Sequence, residues 1–237
     1  MRRPLFDDSS RFLDRFGLLL TITIASLVIL SLVDIGAQVS DASGRWASTL
    51  ASLLVGVTLL LALRASGLAH RLQRVADVVV VVIVASIGFL AAVETFSDQV
   101  PPPTAAAPPL VVLLALAAPV AVMRRIAQHR EVSRGTLLGA ISGYLLLPIA
   151  FFYLFLSTAS LTGAPFFADP QPTTSYMYFS LTTITTTGYG DLTAATPFGR
   201  LLATSEALMG QVYLVTFVAM LVGLFAATRR RGVAPTE

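Results

Sequence analysis

Tyr176-Met177-Tyr178-Phe179-Ser180-Leu181-Thr182-Thr183-Ile184-Thr185-Thr186-Thr187-Gly188-Tyr189-Gly190-Asp191 is the stretch on which the reading of the whole chain turns. It lies in a nearly uncharged joint of about 40 residues between two long apolar runs. Residues 174–185 are too few to cross a hydrocarbon layer about 30 Å thick and too apolar to sit in water. What remains is a half-helix that dips into the membrane and returns as extended backbone. Such backbone is tolerated at depth only where protein or a water-filled path surrounds it.

Outward from this stretch, composition agrees with a membrane setting. Hydrophobic residues are 55% of the 237, charged residues only 12%, and the mean hydropathy is +0.79, too few charges to cover a soluble surface. An ordinary globular enzyme, a coiled coil and a disordered tail protein are excluded. No cysteine is present, which rules out a disulfide framework, a thiol nucleophile and a cysteine-ligated metal. The net charge of +3 does not point to nucleic acid, because the arginines cluster at the ends of apolar runs rather than on one basic face. All the basic residues are Arg, which together with the Ala-rich composition hints at a GC-rich bacterial genome.

Six apolar runs are legible: Gly17 to Val33, Trp46 to Leu63, Val78 to Val93, Leu110 to Met123, Gly135 to about Thr162, and Ala207 to Thr228. The fourth is short, follows a run of prolines and contains Pro119, so a kinked or partly re-entrant helix is expected there. Counting arginines joint by joint puts 14 on one side and only Arg45 and Arg200 on the other. Both termini are therefore expected in the cytoplasm, which requires an even number of spans. The fold expected is an all-α integral membrane protein of six transmembrane helices, with a re-entrant pore helix and loop between the fifth and sixth. It would sit in the cell membrane as a multi-pass protein.

Thr186-Thr187-Gly188-Tyr189-Gly190-Asp191 resembles the potassium-channel selectivity-filter signature, Thr-Val-Gly-Tyr-Gly-Asp, on a pore helix between two spans. Phe198-Gly199-Arg200 resembles the start of the inner helix in bacterial potassium channels, and the likeness extends over roughly residues 135 to 228. It implies a four-helix membrane domain over 1–134, in the position of a voltage sensor, and a pore module over 135–237. It also implies that K+ is held by the carbonyls of Thr186, Thr187, Gly188 and Tyr189, with Gly190 completing the filter and the Thr186 hydroxyl contributing at its inner end. Backbone carbonyls replace the hydration shell of the ion, and glycines at 188 and 190 permit the geometry that aims them. Tyr189 would pack its ring against the pore helix. One filter strand cannot surround an ion, so a homotetramer around a four-fold axis is implied. The chain would be a channel subunit and no enzyme, with K+ as the permeating ion, no cofactor, and lipids as its surroundings.

Two departures from the family pattern matter. Thr187 stands where Val or Ile is usual, and Thr182 stands where many members place a Glu that braces the filter through the acid at Asp191. Glu206, an acid in an apolar context, is expected either to hydrogen-bond to Thr182 or Thr183 and replace that brace, or to reach water at the outer interface. Gly210 falls at the hinge position of the family's inner helix, or serves close packing. Gln211, Leu214 and Val218 form a helical stripe that would line the inner cavity or pack against a neighbouring helix. The alternatives are a weakly selective cation channel and a non-conducting subunit that modulates a partner. Because Leu110 to Met123 contains no basic residue, weak voltage dependence is expected.

Overall fold

The computed structural model describes residues 7–37, 56–58, 61–62, 109–127 and 134–223. These form α1 (Asp7–Ala37), α2 (Pro109–Ala127), α3 (Arg134–Leu156), the short α4 (Thr158–Thr162), α5 (Thr173–Ile184), α6 (Pro197–Val212) and a π-helical turn π1 (Tyr213–Val218) that continues α6. No strand forms among the described residues. Gly135–Leu156 and the continuous helix Pro197–Gly223 are each long and apolar enough to cross a membrane, and α1 carries a shorter apolar stretch, Phe16–Leu32. Of the second apolar run only residues 56–58 and 61–62 are described, as helix, and the third lies outside the described residues.

The hydroxyls of α1 explain how polar residues sit in so apolar a helix. Thr21, Thr23, Ser26 and Ser31 each donate to the carbonyl four residues earlier, at 2.6–2.9 Å. In hydrocarbon there is no water to take that role. Ser26 also meets Thr58 at 2.6 Å in a buried hydroxyl pair.

α1 and α2 both pack on α3, and α1 also touches α5. Phe16, Leu19, Leu27 and Leu30 of α1 share one buried cluster with Ala115, Ala118, Val122 and Ile126 of α2, Leu146, Ile149 and Phe152 of α3, and Met177 of α5. Between helices in lipid the hydrophobic effect gives little, so small residues such as Ala115 and Ala118, both fully buried, matter for close approach. α2 runs as helix through Pro119, with Arg124 and Arg125 in its last turn.

The fifth apolar run is broken at Ser157 and ends in α4, capped by Gly163 in the left-handed conformation at φ 71°. α5 then begins after the extended Pro172 and holds 12 residues, about 18 Å of helix. α6 starts at Pro197, ten residues before the sixth apolar run, because the Thr196 side chain caps it by accepting from the Gly199 amide at 3.0 Å. Phe155, Phe166, Phe167 and Phe179 form an aromatic cluster over Ala194. The amide of Ala195 donates to the Phe166 carbonyl at 2.8 Å, so the segments before α5 and before α6 are tied together.

Candidate functional site

The site is built where α5 stops. Three amides beyond its end fold back onto it: Thr186 N–H donates to the Thr183 carbonyl at 2.9 Å, and those of Thr187 and Gly188 both donate to the Thr182 carbonyl, at 2.9 and 3.1 Å. In a trans peptide the C=O points opposite to the N–H, so the carbonyls of Thr186 and Thr187 are turned away from α5. Thr186, Gly188 and Gly190 have positive φ, at 56°, 50° and 82°, while Thr187 and Tyr189 between them do not. Thr186 is the only non-glycine residue among those described with a positive φ, a conformation that persists only where its surroundings enforce it.

The threonines are linked around this turn. Thr182 lends the loop its carbonyl rather than its side chain, whose hydroxyl donates to the Phe179 carbonyl at 3.1 Å. Thr185 and Thr187 hydroxyls meet at 2.9 Å, so the hydroxyl that Thr187 adds has a local partner. The Thr186 hydroxyl donates to the Thr185 carbonyl at 2.7 Å and accepts from Gln211 Nε2 at 3.3 Å, which joins the inner end of the loop to α6.

At the other end, the Tyr189 ring stacks on Tyr178 of α5, centroids 6.3 Å apart and planes 4° from parallel. Tyr178 Oη donates to Asp191 Oδ2 at 2.9 Å. Tyr178 thus ties the acid to α5 in a chain that lacks a carboxylate at Thr182. The sequence reading passed over Tyr178, although its place thirteen residues before Asp191 was visible.

Glu206 is fully buried in a single chain. Its partner is Ser180, at 2.5 Å, rather than Thr182 or Thr183. The reason is helical phase: Ser180 is fully buried on α5, whereas Thr182 and Thr183 are partly exposed. Gly210 lies one turn further along α6, where an added Cβ would stand 2.5 Å from Ile184 Cγ1 and 2.9 Å from the Ile184 carbonyl oxygen. Only glycine admits that approach. The helix stays regular through Gly210 and widens three residues later, at π1.

That π turn redistributes the expected stripe. Gln211 faces Thr186 and Leu214 is exposed, but Val218 packs against the cluster of Leu147, Ile184 and Tyr213. An i to i+5 turn advances the chain by more than 3.6 residues, so positions 211, 214 and 218 no longer share one face. Tyr213, which opens the π turn, donates from its hydroxyl to the Ala140 carbonyl of α3 at 2.7 Å. No signal in the sequence distinguishes it from the neighbouring apolar residues.

Residues 140–227 match an ion-channel family model. No curated protein and no solved structure matches the chain. The matched span takes in most of α3, all of α5 and the loop after it, and α6 with π1, which supports an ion-channel pore in this part of the chain and a membrane protein rather than an enzyme. Among the described residues no group of three or more His, Cys, Asp or Glu is arranged to hold a metal ion.

Proposed function

We propose that this chain is a potassium-selective channel subunit that conducts K+ passively across the cell membrane as a homotetramer, with six spans and both termini cytoplasmic. The observation that carries the reading is the alternation of φ sign over Thr186, Thr187, Gly188, Tyr189 and Gly190, with the amides at 187 and 188 bonded back to Thr182. An ordinary strand sends successive carbonyls to opposite sides, and alternating left- and right-handed residues remove that reversal. Neighbouring carbonyls then face one way, as a dehydrated K+ requires. Four copies around an axis supply rings of oxygens, with the Thr186 hydroxyl at the inner end.

The expected division is a membrane domain over 1–134 and a pore module over 135–237, and α1 and α2 of the first share a core with α3 and α5 of the second. The test is flux through purified protein in liposomes under a K+ gradient and, separately, a Na+ gradient. Flux of K+ at least about tenfold above that of Na+ supports the reading, a difference of about 1.4 kcal/mol in filter free energy. Equal fluxes point instead to a weakly selective cation channel, and no flux of either ion to a non-conducting subunit.

A further inference from the structure

Glu206 poses a problem of proton counting. Ser180 Oγ lies 2.5 Å from Glu206 Oε1 and 2.9 Å from the carbonyl oxygen of Pro148 on α3. A hydroxyl has one proton to give. The Pro148 carbonyl can only accept, so the contact with it uses the serine proton. The contact with Glu206 then needs a proton from the acid, because two lone pairs at 2.5 Å would repel. The rest of the environment agrees: Glu206 is fully buried, its Oε2 has no hydrogen-bond partner, and no cation faces it among the described residues. The titratable side chain of α3 within its electrostatic reach is Tyr144, which brings no positive charge. A carboxylate with one oxygen bare and no counter-charge is far more costly to bury than a neutral acid.

We infer that Glu206 is held as the neutral acid and donates to Ser180, which donates in turn to the Pro148 carbonyl, a relay that pins α5 between α6 and α3. The relay makes Glu206 a positioning residue for the filter loop. Ser180 is fixed by the relay, and Ile184, one turn on, is fixed by the close approach of Gly210. Between these two points lies Thr182, whose carbonyl takes the amides of Thr187 and Gly188. A shift of α5 against α6 is therefore passed directly to the loop.

The relay rests on hydrogen-bond geometry and its effect on flux rests on the conduction reading, so the experiment has two arms. Infrared difference spectra of wild type and Glu206→Gln in lipid at neutral pH read the protonation state whether or not the protein conducts. The expected change is loss of the C=O stretch of a protonated carboxyl, and the same band should move to higher frequency in Ser180→Ala, where its acceptor is gone. Loss of carboxylate stretches instead would overturn the relay. In the flux arm Glu206→Gln, whose amide still donates to Ser180, keeps K+ flux within about threefold of wild type, while Glu206→Ala and Ser180→Ala lower it about tenfold through a buried hydrogen bond left unmade. Gln as damaging as Ala would overturn the positioning role, and Ser180→Ala supplies that comparison should Glu206→Ala not assemble.

Discussion

Gly188 and Gly190 have nothing within 4 Å of the place a Cβ would occupy. The need for glycine there is conformational, and a side chain at Gly188 would strain φ near 50° by about 1–2 kcal/mol without displacing any neighbour. Gly188→Ala is therefore expected to insert and assemble like wild type, because no packing is lost, yet to lose selective K+ flux, because relaxing φ turns a carbonyl out of line. Size-exclusion chromatography alongside the liposome assay separates the two effects; selective flux retained in this variant would remove Gly188 from the filter. The conformation of this loop was legible because six consecutive positions carry their own geometry. Glu206 was legible as an anomaly, but its partner was not, since choosing Ser180 over Thr182 depends on the rotation of α5 against α6. Thr182 illustrates a second limit: its side chain marks a missing carboxylate, while its contribution is a carbonyl that every residue possesses.

At the scale of elements, hydropathy located α1, α2 and α3 because their apolar runs contain no charged residue. It set the start of the last span too late by ten residues, and the cause lies in Arg200 and Glu206. Both depress hydropathy and both find a partner inside the protein, Arg200 Nε in the Ala194 carbonyl at 3.0 Å and Glu206 Oε1 in Ser180. The π turn was not legible, since its residues are as apolar as those around them. π1 is held at its first residue by the Tyr213 hydroxyl on Ala140 and by the Tyr213 ring against Tyr144 and Phe217, with centroids 5.9 and 5.2 Å apart. Tyr213→Phe keeps the ring contacts and removes the hydrogen bond, so a loss of about 1 kcal/mol is expected. Thermal unfolding in detergent should show a lower midpoint for this variant, and an unchanged midpoint would mean the hydroxyl does not anchor the π turn to α3.

At the scale of the molecule, one chain leaves much of α6 and π1 uncovered: Leu201, Leu208, Val212 and Val215 are all more than half exposed. Lipid can cover such a face, but a single row of carbonyls cannot enclose an ion, and four chains are expected in native-like lipid. Native mass measurement checks the count, and a conducting monomer or dimer would contradict it. The same scale decides how the channel responds to voltage. Steep gating needs about three to four charges per subunit crossing the field, each worth about 2.3 kcal/mol per 100 mV. α2 carries no charge on its buried face, which includes Ala115, Ala118, Val122 and Ile126. Its arginines, Arg124 and Arg125, come only in the last turn, where long side chains reach the interface instead of the membrane interior. α2 is moreover packed into the core it shares with α1 and α3, so a large stroke would break contacts that hold α5 as well. A conductance–voltage curve in symmetric K+ should accordingly be nearly linear; a sigmoid equivalent to several charges per subunit would assign to this domain a sensor that α2 does not contain.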